Sequence, residues 1–310
     1  MKQPARLRIL KVIKSRIWFS LSFLGGCLAY GAPQPFELTR EWSEKIEALA
    51  PVKATAEPQA NRRVLLFSLM TGFKHWVTPH TAEVIRILGR KTGAYAVESS
   101  DDVAMFEPER IKEFDVIVLN NNCSRNPRRD LFLDATGDAE RAKMLEDSLI
   151  AHISGGKGLV AMHGAIVMQN NSAEFSRMLG GSFDFHPRQQ EVTCLTVEPE
   201  HPLLKAFKGE PFVHWDEPYF FKNAYSNKLF RPLLEMDRER LGHVDRNRLM
   251  SDKCYAAWIK RYGEGRVFYC SPSHNAQSFE DKRLLLFILD GIQYAAGDLA
   301  CDDSPPEQAK

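Results

Sequence analysis

From residue 63 onward, short apolar runs of strand length alternate with stretches whose apolar residues recur at helical spacing. Val64 to Leu69 is the first run. Thr71-Gly72-Phe73-Lys74-His75-Trp76 interrupts it as a loop. Thr78 or Thr81 can cap a helix running to about residue 90, with Val84, Ile87 and Leu88 facing inward. Residues 95–99 form a second strand and residues 115–120 a third, the latter continuous and apolar, as a buried parallel strand should be. A helix over residues 139–153 ends at Gly155-Gly156, and residues 158–162 give a fourth strand. This alternation implies a parallel, doubly wound sheet. The second half reads as more antiparallel. Its strands are residues 192–197, 256–259 and 265–270, with Gly263 and Gly265 bracketing a hairpin turn. A last helix spans residues 281–296, with Leu284, Leu285, Ile288, Leu289 and Ile292 on its inner face.

The stretch before residue 63 follows different rules. Lys2, Arg6, Arg8, Lys11, Lys14 and Arg16 form a basic region, residues 17–28 are apolar, and small residues follow at Ala29, Gly31 and Ala32. That order predicts a secretory signal over residues 1–32, and the apolar part is short for a membrane span. Leu24-Gly25-Gly26-Cys27 also has the form of a lipobox, which would leave a lipid anchor at Cys27. An uncleaved anchor is the third alternative. The expected location is the periplasm or the cell surface. Residues 33–62 read as a linker with one short helix over residues 41–49, capped by Thr39 and ended before Pro51. Residues 63–299 are the domain and 300–310 a tail.

Composition narrows the function classes. The 310 residues carry a formal charge of +1, so no global field draws the chain to nucleic acid. The six cysteines form no CxxC pair, which leaves a zinc ribbon or a thioredoxin-type site without support. Cys194 and Cys270 lie in apolar runs, as buried thiols do. Neither HExxH, GxSxG nor a P-loop occurs. Gly155-Gly156-Lys157-Gly158 precedes a strand, whereas a phosphate cradle precedes a helix. No nucleotide cofactor is expected.

In parallel α/β sheets, ligands bind beyond the carboxyl ends of the strands. That rule selects His75 and Trp76 after the first strand, Asn120, Asn121 and Asn122 after the third, His163 after the fourth, and His274 after the strand ending at Cys270. Met162-His163-Gly164-Ala165 has the small-residue turn of a nucleophile elbow, but carries Met or His where Ser or Cys would stand. Histidine there can be a base, an acid or a metal ligand. His186, after Phe183-Asp184-Phe185, is a further candidate. Trp215-Asp216-Glu217-Pro218-Tyr219 sets two acids among aromatics, beside His214; carboxylates suit a metal or sugar hydroxyls, and the rings can stack on a sugar. His201-Pro202 reads as turn chemistry, His80 as a surface or capping residue, and His152 and His243 as structural or surface positions.

In their shared order these segments resemble the ThuA-like, trehalose-utilisation family. The matching pieces are Gly72-Phe73-Lys74-His75, residues 114–119, residues 155–165, Leu179-Gly180-Gly181-Ser182-Phe183 with His186-Pro187, His201-Pro202, Asp216-Glu217-Pro218-Tyr219, and residues 263–269 with His274. The resemblance spans about residues 63–298. It implies a flavodoxin-like, class I glutamine amidotransferase-like three-layer α/β/α sandwich. It also implies a link to trehalose, glycoside and 3-keto-sugar metabolism. The elbow cysteine of the amidotransferases is missing, so glutamine hydrolysis through a thioester is not expected, and neither Cys123 nor Cys270 is positioned to replace it.

The resulting expectation is a sugar-modifying isomerase, lyase or hydrolase whose ligand is a small carbohydrate. Its catalytic residues would be His163, Glu217 and His274. Its substrate contacts would be His75, Trp76, Asn121, Trp215, Asp216 and Tyr219. A divalent metal (zinc, manganese or iron) would sit on His163, His186 and His274. The competing expectation is a non-catalytic carbohydrate-binding or assembly module.

Overall fold

The computed structural model describes residues 32–249 and 251–306. The expected signal segment, the alternative anchor at Cys27 and the cleavage point at residues 31–32 lie outside the described residues, apart from Ala32. Among the described residues no helix is long and apolar enough to cross a membrane.

The chain begins with helix α1 (Arg40–Leu49). Thr39 caps it by accepting from the Trp42 N–H, and its buried Trp42 and Ile46 face the protein. Then follow β1 (Arg63–Phe67), α2 (Thr78–Thr92), β2 (Ala96–Ser100), α3 (Pro108–Ile111), β3 (Val116–Asn120), α4 (Leu131–Thr136), α5 (Ala139–Ser154), β4 (Gly158–Met162) and α6 (Ala173–Leu179). The second half holds β5 (Ser182–Phe185), β6 (Gln190–Thr196), β7 (Phe212–Asp216), β8 (Phe220–Lys222), β9 (Arg231–Met236), β10 (Tyr255–Tyr262), β11 (Gly265–Cys270) and α7 (Lys282–Ala296).

Nine strands make one sheet in the order β2-β1-β3-β4-β11-β10-β9-β6-β7. The first five are mutually parallel, and their order is the 2-1-3-4-5 of flavodoxin-like sheets. The remaining pairings are antiparallel. β5 and β8 form a separate two-stranded sheet.

Strand periodicity explains the layers. Successive residues point to opposite faces, so Val64, Leu66, Val116, Val118, Val160 and Met162 join α1, α2 and α7 in one core. Leu65, Phe67, Ile117, Leu119, Leu159 and Ala161 join α4, α5 and α6 in the other. Both faces are covered, which is why β3 and β4 are apolar at every position but Asn120 and Gly158. The three-layer α/β/α sandwich expected from the sequence is present.

Residues 50–62 differ from a spacer. Thr55 and Ala56 donate backbone N–H groups to Gln293, whose amide donates back to Ala56 O. Gln59 N and the Arg62 guanidinium both bond Asp298. The Thr55 hydroxyl donates to Asp290. The segment is therefore pinned along α7 by a row of polar side chains that read, in sequence, only as the outer face of a helix.

Asp290 gives this seam a pH dependence. Burial pushes its carboxyl up to about 7. A raised carboxyl binds its proton more tightly in the folded state. Its contribution is thus complete below the unfolded value near 4 and is lost as pH rises through 7. Asp290→Asn, which keeps an acceptor for Thr55, should lose less stability than the parent between pH 5 and 8, by about 2–3 kcal/mol. Urea unfolding at the two pH values checks this.

Candidate functional site

The carboxyl ends of β1, β3, β4 and β11 meet at one rim, and the side chains there are buried. His163 is the first residue after β4. Its φ of +44° is the left-handed conformation that a non-glycine residue adopts only where the surroundings impose it. The elbow inferred from Gly164-Ala165 is present. The residue standing on it is His163, while Met162 remains in the strand and buried in the core. Asn121, also left-handed at φ +57°, directly follows β3 and accepts from the Gly164 N–H (3.4 Å). Gly164 is required by space: a Cβ there would stand 2.6 Å from His75 Cε1 and 3.1 Å from Cys123 Sγ.

Four ligand-type atoms, one each from His75, His163, Glu217 and His274, lie within 4.8 Å of one another. His274 Nδ1 is 3.0 Å from His163 Nε2 and 3.2 Å from Glu217 Oε2. The same Glu217 oxygen is 3.7 Å from His163 Nε2. The His75 ring meets the His163 and His274 rings edge-on at 5.1 and 5.2 Å. Its Nε2 is buried without a hydrogen-bond partner.

Hydrogen bonds around the cluster set its protons. His163 Nδ1 lies 2.9 Å from the Ser271 carbonyl. A carbonyl only accepts, so the proton sits on Nδ1 and the Nε2 lone pair turns to the cluster. His274 Nδ1–H then donates toward that lone pair and toward Glu217. Behind it, His274 Nε2 bonds the Gln189 amide (2.9 Å), which is itself held by Asn275 Nδ2 (3.2 Å). An amide offers both a donor and an acceptor, so Gln189 can serve either tautomer of His274.

Charge follows from burial. Burial, with His163, His274 and His186 close by, holds His75 well below the usual histidine range. Burial and the neighbouring His163 hold His274 near 4. Both rings are neutral at pH 7. Burial alone would raise Glu217, but His163, His274 and His186 outweigh it and keep the carboxyl below its usual range. His75 and His274 thus stand as neutral imidazoles beside one carboxylate, the protonation states that metal binding and proton transfer both need.

The sequence-derived candidates divide in three groups. His75, His163, Glu217 and His274 come together. Tyr219 joins them, its ring packed at a tilt of 37° against His163 with centroids 4.2 Å apart. His186 lies at the margin: its Nε2 is 3.9 Å from Glu217, its Nδ1 faces Pro187 O, and the side chain is 38 % exposed. The compact donor set therefore has His75 where His186 was expected.

The others hold the site together from behind. Asp216, expected among the substrate contacts, is enclosed, with its oxygens taken by the N–H groups of Glu217, Ser273 and His274 and by His214 Nε2 at 3.1 Å. Asn121 spends its amide on Asn120 and Gly164. Trp215 accepts from Asn275 through its carbonyl. Trp76 packs on Phe36 and His80 rather than on the cluster, because α1 covers that side of α2. His80 is not at the surface: it is fully buried between Phe36 and Trp42.

Gln189, Asn275 and Ser271 were missed by sequence reasoning, because polar loop residues carry no motif. The one available signal was their proximity in sequence to His186 and His274. Cys123, set aside at first, does border the cluster, 3.7 Å from His75 Nδ1. Burial pushes its thiol up to about 12, so it offers no thiolate nucleophile at neutral pH.

The ThuA family model, described as trehalose utilisation, matches residues 63–295. No curated protein matches the chain. Among solved structures, it is similar to a ThuA-like protein from Bacteroides uniformis, with 18% identity, a TM-score of 0.60, and coverage of 77% of this chain and 93% of that one. It is also similar to one from Parabacteroides merdae, with 18% identity, a TM-score of 0.56, and coverage of 80% and 96%. At such identity these likenesses speak for the fold alone, while the family match covers three quarters of the chain. The chain belongs to the ThuA, trehalose-utilisation family.

Proposed function

We propose that this chain is an exported protein that acts on a sugar or keto-sugar derivative by histidine and carboxylate proton transfer, with a divalent metal held by His75, His163, His274 and Glu217. The observation that carries the reading is the buried convergence of these four donors within 4.8 Å. The unpartnered Nε2 of His75 supports the metal part, since a buried ring nitrogen left without a partner costs about 1–3 kcal/mol. Neutral imidazoles with an ionised carboxylate are the donors zinc prefers, and iron and manganese share them. A cation bound there supplies a Lewis acid that polarises a carbonyl or bound water.

The chain's own residues account for the proton movements. In the cluster without a cation the His163 Nε2 lone pair is the base for a proton beside a ketone, whereas a cation on that nitrogen would leave the proton to Glu217. In that state His274 Nδ1–H is the donor nearest that position and can meet charge developing on oxygen; as a metal ligand His274 would carry its proton on Nε2, toward Gln189. Glu217 keeps the two rings in register and can take the His274 proton. Asp216 and the Ser271 carbonyl fix where the rings stand. The basic and apolar order of residues 2–32 supports export.

In D2O with a 3-keto glycoside, the protein should exchange hydrogen next to the carbonyl well above the buffer rate, followed by NMR. Sugar bound with no exchange and no turnover would make the chain a binding module and sink the proton-transfer reading. Gly164→Ala should weaken divalent-metal binding about 10–100-fold by displacing His75. Competition with a chelating dye reads this out.

A further inference from the structure

The loops that carry the cluster also carry positive charge. Lys74 directly precedes His75. Arg125, Arg128 and Arg129 follow Cys123, which borders His75, and Arg188 precedes the Gln189 that bonds His274. Among the described residues none of these five enters an ion pair, whereas Arg63, Arg90, Arg141 and Arg231 on other faces each meet a carboxylate. The nearby acids are already committed. Asp134 accepts from Arg125 N and the Thr71 hydroxyl, Asp130 from Leu133 N and Gln169, and Asp184 faces Lys222.

Directly before Lys74 stands Phe73, 61 % exposed and the one aromatic among the exposed large hydrophobics of the described residues. An exposed phenyl is ordinarily mobile, but its loop is anchored. The N–H groups of Thr71 and Gly72 both bond Cys123 O. Gly72 lies so close to the next loop that a Cβ would stand 2.2 Å from Ser124 O and 3.0 Å from Arg125 N. The ring meets His75 edge-on at 4.8 Å, so it leans on the donor cluster itself.

A fixed apolar face suits one side of a sugar ring. Unpaired guanidinium groups suit a carboxylate or phosphate, which they can bind bidentately. We infer that the site takes a sugar bearing an anionic group, with its ring on Phe73 and its anion among Arg125, Arg128 and their neighbours. This rests on the reading of the cluster as a sugar-processing site. Carboxylate and phosphate share the recognition chemistry, and the probes separate them.

Calorimetry on the full chain at low salt, with glucuronate, glucose 6-phosphate, glucose and inorganic phosphate, tests the inference. At least one acidic sugar should bind about tenfold or more tightly than glucose, and added salt should narrow the gap. The double variant Arg125→Gln/Arg128→Gln should close the gap. Lys53→Gln, an exposed cation near the amino ends of β1 and β2, should leave it intact. Phe73→Ala should weaken both sugars alike. Glucose binding as tightly as the acids, phosphate alone as tightly as glucose 6-phosphate, or no binding of any sugar would each overturn the inference. Loss of the acid preference alongside intact deuterium exchange would overturn this inference alone; the preference without exchange would overturn the proton-transfer reading alone.

Discussion

His163→Ala should fold as the parent does and lose turnover by about 10³-fold, the scale set by removing a general base. The expectation rests on where the ring stands. It occupies the elbow after β4, its Nδ1–H is fixed by Ser271 O, and its Nε2 faces both His274 and Glu217. No other ring nitrogen in the cluster has that combination of a fixed tautomer and a lone pair turned inward. Alanine at a φ of +44° carries no more backbone strain than histidine, so folding should survive. Turnover of a keto-sugar, with circular dichroism to verify folding, decides it. Retained turnover would remove His163 from the chemistry.

Asp216→Ala should cost about 3–5 kcal/mol, because removing one partner from a buried ionic network strands the rest. Three backbone N–H groups and His214 lose their acceptor together. The loop carrying Ser273 and His274 then has nothing to hold it against the β7 end, so His274 should leave the cluster as well. Asp216→Asn keeps one oxygen and should cost less. Burial alone would raise the Asp216 carboxyl, yet the bond from His214 and the neighbouring His163 and His274 rings hold it below its usual value. The sign follows: a depressed carboxyl stabilises above the unfolded pKa near 4 and loses that contribution as pH falls below it. The Asn variant should therefore show a flatter acid limb in urea unfolding, while an unchanged limb would contradict the role given to Asp216.

How much of this was legible in the sequence depends on the element. β3 and β4 are buried on both faces, so they read as unbroken apolar runs, and the helix over Lys282–Ala296 shows a full inner stripe. β8 spans only Phe220–Lys222, and β9 carries Pro232. Their period-2 signal is diluted, which hid them. α4 and α6 went unread, although Asp130 and Ser172 cap them and Gly137 and Gly180 end them in left-handed turns.

At the site, the strand-end rule found His75, His163 and His274 because the parallel strands put their carboxyl ends side by side. It could not rank His75 above His186, since that depends on the path of the chain between β5 and β6. Glu217 was found through its aromatic neighbours, but the burial of Asp216 beside it was not. Adjacent residues in an extended chain point to opposite sides, and only one of the two could face the cluster. His80 and Trp76 were misjudged for one reason: the covering helix α1 lies outside the repeating α/β pattern, and nothing in residues 33–62 announces which surface it shields.

The metal content of the purified chain, measured by elemental analysis beside His163→Ala, decides whether the four converging donors hold an ion. Close to one divalent ion per chain is expected in the parent, with a marked loss in the variant. No divalent ion in either protein after supplementation, or equal content in both, would contradict a metal centre on His75, His163, His274 and Glu217.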